Sequence, residues 1–110
     1  MKNKKSKIEI LVELDENKIP EKIHWSASDA GIKNSETKAT FLSVRDSNRK
    51  ESLRIDLWTK DMPLDEMKIF FYQILTSMSS TFKRATQDEK MSQTMLDFCD
   101  YFAEKLDIKK

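Results

Sequence analysis

Period-two alternation through the first half of the chain, followed by two long segments of 3.6-residue apolar period, predicts an α+β fold. The expected order is ββββαα. Four strands, read as two hairpins, make one four-stranded antiparallel sheet, and two C-terminal antiparallel helices pack on one of its faces. Length is the third observation: 110 residues suit one domain, here 7–110, behind a basic tail of residues 1–6 expected to be disordered.

The first strand begins after Lys7. Ile8, Ile10, Val12 and Leu14 face one way while Glu9, Leu11 and Glu13 face the other, the pattern of a half-buried strand. Asp15, Glu16, Asn17 and Lys18 supply turn chemistry, with Pro20 just beyond. Ile23 and Trp25 then alternate with Lys22 and His24 as a short returning strand. Residues 26–35 read as a loop that is free to contact a partner. Its Gly31, the sole glycine, is expected at positive φ.

Residues 37–46 admit a short helix capped at Ser35. Their β-branched and aromatic content, and the polar turn Asp46–Lys50 that follows, favour the first arm of a second hairpin. Leu53, Ile55 and Leu57, alternating with Arg54, Asp56 and Trp58, form the second arm.

From Pro63 to about Thr86 the apolar residues Met67, Phe70, Phe71, Ile74, Leu75, Met78 and Phe82 recur at three- and four-residue intervals. Pro63 suits a first helical turn, and Asp65 and Glu66 complement the free amides there. Thr86 and Glu89 have the spacing of a capping box, which starts a second helix running from Gln87 to about Ile108. Its expected inner stripe is Met91, Met95, Phe98, Phe102 and Leu106, with Cys99 and Ala103 beside it. Asp97, Asp100, Glu104 and Asp107 line the other face, a solvated stripe or a dock for a basic partner. The expected core sets Phe70, Phe71, Ile74, Phe98 and Phe102 against Ile10, Val12, Ile55 and Leu57.

Composition excludes more than it selects. Lys+Arg 20 against Asp+Glu 19 leaves a net charge of +1, interleaved along the chain, so no basic patch points to nucleic acid. No stretch approaches the roughly 20 apolar residues of a membrane span. The basic start lacks a signal-peptide apolar run, because Glu9 and Glu13 interrupt it, and the expected compartment is cytoplasmic. One cysteine and one histidine do not make the usual zinc spacings, and one glycine makes no phosphate loop. No catalytic residue, cofactor or metal ligand is expected. The alternative is a small enzyme or ligand-binding domain whose carboxylate-based site the sequence does not reveal.

Three stretches carry a family resemblance: ELDENKIPEKIHW (13–25), LRIDLWTKDMP (53–63) and DEKMSQTMLDFCDYFAEKLDIKK (88–110). Together, at this length and spacing, they resemble GldC, the gliding-motility accessory family of Bacteroidetes. The resemblance implies an accessory role through protein contacts in or near the motility machinery. It brings no catalytic motif.

The residues themselves suggest where such contacts lie. On the alternations above, Leu11, Phe41, Arg54 and Trp58 point away from the helices. Large apolar groups ringed by charge on a nominally polar face have the composition of a protein-binding surface. The expected partner is a component of the gliding machinery, or a second copy of the chain.

Overall fold

The alternation that starts at Ile8 and the turn at Asp15 build the first hairpin. In the computed structural model, which describes residues 3–108, β1 (Ile8–Leu14) pairs antiparallel with β2 (Pro20–Ala27). The Asp15 carboxylate accepts from the amides of Asn17 (2.8 Å) and Ile19 (3.0 Å), which closes the turn while Lys18 takes a positive φ of 63°. The first two residues of the expected tail lie outside the described residues. Residues 3–7 carry no regular structure.

Beyond β2, half of the expected loop is a strand. A 3-10 turn, Ser28–Ala30, ends in Gly31 at φ 68°, as expected for the one glycine. β3 (Ile32–Thr37) then pairs antiparallel with β2. Lys38 ends that ladder, where the Thr37 hydroxyl donates to the Ala39 carbonyl (3.1 Å). β4 (Ala39–Arg45) and β5 (Ser52–Trp58) follow as a hairpin closed by the Asp46 turn.

The single four-stranded sheet expected from the alternation is therefore replaced, among the described residues, by five strands in two sheets. One is three-stranded in the order β1-β2-β3, and the other is the two-stranded ribbon β4-β5. The extra strand, IKNSET, has apolar character only at its start. Its ladder is organised by the neighbouring β2 rather than by its own pattern.

In the three-stranded sheet, Val12 opposes Ile23, which opposes Thr37; Ile10 opposes Trp25; Ala27 opposes Ile32. Ile23 and Ala27 are buried on this face. In the ribbon, Leu42 opposes Ile55, Val44 opposes Leu53 and Thr40 opposes Leu57. Leu42, Val44, Leu53 and Ile55 are exposed, so the expected burial of Ile55 does not hold.

The strands belong to a compact unit that ends at Met62, and the helices to a second that begins at Pro63. The helices are α1 (Leu64–Thr86), as the period predicts, and α2 (Glu89–Lys105), about a turn shorter than expected. Pro63 caps α1, with Asp65 and Glu66 in the first turn. The capping box does not form. Gln87 ends α1 at φ 64°, and Asp88 caps α2 by accepting from the Met91 amide (2.9 Å). Thr86 instead donates to the Phe82 carbonyl of its own helix (2.8 Å). The Asp88 carboxylate, next to the first helical residue, took the free Met91 amide instead.

The two helices meet through small residues. Ser79 of α1 and Ser92, Cys99 and Ala103 of α2 are buried, and the Ser92 hydroxyl donates to the Ser79 carbonyl at 2.8 Å. Phe98 is 51% exposed and Phe71 42%, and Met91 and Leu106 are also exposed. The buried line on α2 is thus rotated by about one position from the expected stripe of large side chains. Small residues let two helix backbones approach closely, and large ones flank the contact instead.

Candidate functional site

The hairpin geometry brings three of the four expected contact residues to one face. Residues directly opposite in an antiparallel pair share a face, and Phe41 opposes Asp56, Ser43 opposes Arg54, and Ala39 opposes Trp58. Arg54 and Trp58 are therefore the diagonal neighbours of Phe41 across the ribbon. Arg54 forms an ion pair with Asp56 at 3.0 Å and remains mostly exposed. Phe41 is half-buried and Trp58 is 52% exposed. Leu11 lies on β1 of the other sheet, opposite His24 and between Glu9 and Glu13. The four residues do not share one sheet face.

A second constellation was not expected from the sequence. At the end of β5, Thr59 is buried and its amide donates to the Lys38 carbonyl (2.8 Å). The next amide, of Lys60, donates to the Pro20 carbonyl (3.1 Å), which ties the ribbon to the start of β2. The Lys60 ammonium reaches Asp15 (3.1 Å) and Glu21 (3.4 Å), while Lys38 reaches Asp61 (2.9 Å). The Thr59 hydroxyl also donates to Asp61, at 2.6 Å. This polar joint links the two sheets at their strand ends. Apart from Lys38, it is built from ELDENKIPE and LWTKDMP, parts of two of the stretches that carry the resemblance. The signal available was three consecutive polar residues, Thr59–Asp61, placed just after a strand.

The joint sets the charges of its members. The Ile19 amide, and then Lys60, hold the Asp15 carboxyl below its ordinary value of 3.8. The Thr59 hydroxyl, and then Lys38, do the same for Asp61. Asp15, and then Glu21, push Lys60 above 10.5. A depressed carboxylate contributes stability above its unfolded value and loses it as pH falls through the folded one. A raised ammonium contributes below its unfolded value and loses it as pH rises through the folded one. The thermal midpoint should accordingly be flat between about pH 5 and 10 with respect to these groups, and fall on both sides. Asp15→Asn and Asp61→Asn should shrink the acid limb, and Lys60→Gln the alkaline limb. Melting curves across pH check this; an unchanged acid limb in both Asn variants would remove the joint from the stability of the fold.

The chemistry available elsewhere is sparse. Among the described residues no group of three or more His, Cys, Asp or Glu is placed to hold a metal. Cys99 is buried in α2, and His24 is half-buried on β2. An open cleft of about 590 Å³ lies at the Gly31 end of the three-stranded sheet. Lys7, Glu9, Ser26, Lys33 and Asn34 are among its lining residues. Ser26 there accepts from the Asn34 amide (2.9 Å), a bond that fixes the loop. No helix is long and apolar enough to cross a membrane among the described residues.

No curated protein and no solved structure matches the chain. A family model described as "Gliding motility-associated protein GldC-like" matches residues 20–108, which span β2 through α2 and every member of the polar joint except Asp15. With most of its length matched, the chain belongs to the GldC-like family of gliding motility-associated proteins.

Proposed function

We propose that this chain is a non-enzymatic accessory protein of gliding, acting in the cytoplasm through protein–protein contacts. Its contact surface is the ribbon face of Phe41, Arg54 and Trp58, with Leu11 contributing from β1. The observation that carries the reading is Trp58, half-exposed two positions along the strand from Asp56 and four from Arg54. Tryptophan and arginine dominate binding hot spots, and a tryptophan left half in water gains its full burial only when something covers it. The ribbon also presents that side chain on a short two-stranded element whose register is set by one turn, so its position is locally determined.

The test is to recover the tagged chain from gliding cells, identify what it retains, and measure affinity with the purified partner. Trp58→Ala should weaken that association by about 2 kcal/mol or more, some thirtyfold. It should cost the isolated chain under about 1 kcal/mol of stability. A variant that unfolds while its association is untouched would make Trp58 a structural residue and sink the assignment.

A further inference from the structure

The three-stranded sheet ends in β1, whose outer edge pairs with no strand among the described residues. The Ser28 amide donates to the Lys7 carbonyl, so Lys7 directs its backbone groups toward β2. In an antiparallel ladder that direction alternates, which leaves the N–H and C=O of Ile8, Ile10 and Val12 facing outward. Six residues of unbulged strand, from Ile8 to Glu13, form an open template of the kind that other proteins guard with proline, bulges or a covering segment. Ile8 is 70% exposed and Leu11 is exposed as well.

We infer that this edge pairs with the same edge of a second copy of the chain, in a two-fold antiparallel register centred on Ile10. In that register Ile10 opposes Ile10, Ile8 opposes Val12, Glu9 opposes Leu11 and Lys7 opposes Glu13, each relation occurring twice. Charge complementarity selects it. Lys7 and Glu13 are brought together on one face, where Glu13 already has Lys22 opposite it on β2. The aliphatic faces of the two sheets become continuous through Ile8, Ile10 and Val12. The alternative two-fold register, centred on Leu11, would oppose Glu9 to Glu13 twice, and like charges directly opposite destabilise a sheet. The outward groups of Ile8, Ile10 and Val12 then exchange about six backbone hydrogen bonds and join two three-stranded sheets into one. Closed two-fold pairing of this kind is the commonest symmetry of soluble oligomers. The dimer does not depend on the ribbon face.

Sedimentation equilibrium of the full chain tests this, alongside variants of the two charges. Wild type should dimerise, Glu13→Lys should weaken the dimer about tenfold or more by setting like charges opposite twice, and Lys7→Glu with Glu13→Lys should restore it. Amide exchange at Ile8, Ile10 and Val12 should slow as concentration rises, while Glu9, Leu11 and Glu13 stay as they are. Trp58→Ala should leave the dimer intact, so its loss there would implicate the ribbon and not the edge. A wild type that stays monomeric overturns the inference. So does a dimer indifferent to both charge variants, and so does one that Glu13→Lys strengthens, the sign of the Leu11-centred register.

Discussion

Ile23→Ala should lower the free energy of unfolding of the strand unit by about 2–5 kcal/mol. Among the described residues Ile23 is the largest side chain with no exposure at all, on the central strand, opposite Val12 on one side and Thr37 on the other. Truncation removes its transfer free energy and leaves a cavity that a strand held by ladders on both sides closes only in part. Both tryptophans, Trp25 and Trp58, lie in the strand unit, so their fluorescence during urea unfolding reads this change directly. Val44→Ala, at an exposed position of the ribbon, is the control and should cost under about 1 kcal/mol. Equal losses at the two positions would mean that Ile23 does not sit at the centre of a packed face.

Ala103→Leu should destabilise the helical unit by about 1–3 kcal/mol. Ala103 lies in the line of small buried residues on α2, with Ser92 and Cys99, that faces α1. Three added heavy atoms there must push the helices apart, and that separation also stretches the bond from the Ser92 hydroxyl to the Ser79 carbonyl. Ser92→Ala alone should cost about 1 kcal/mol, since it leaves a buried carbonyl with one partner fewer. Phe98→Ala, at an exposed position, should cost less than Ala103→Leu although it deletes a whole ring. Far-UV circular dichroism, which is dominated by the helices, follows all three variants. If Phe98→Ala proves the most damaging, the contact runs along the large side chains after all.

The part of this molecule legible in its sequence is the part made by neighbours in the chain. Helix α1 is one uninterrupted period from Pro63 to Thr86, and its ends are set by residues in its own first and last turns. The alternation of β1 and the shared face of Phe41, Arg54 and Trp58 likewise follow from period two and a single local turn. The family, too, was legible, because three stretches at the right spacing are a property of the sequence itself.

What only the tertiary structure decided involves residues far apart in the chain. The segment 32–37 is a strand because β2 offers it a ladder, although its own composition favours a loop. One sheet became two at Lys38, between the end of β3 and the start of β4, a break no periodicity marks. Lys60 and Asp15, 45 positions apart, meet at the joint between those sheets. The buried line of α2 runs through Ser92, Cys99 and Ala103, one position round from its phenylalanines. Apolar period reveals that a helix has an apolar side. It does not reveal which part of that side touches the next helix, because close approach depends on the size of residues on both partners at the contact.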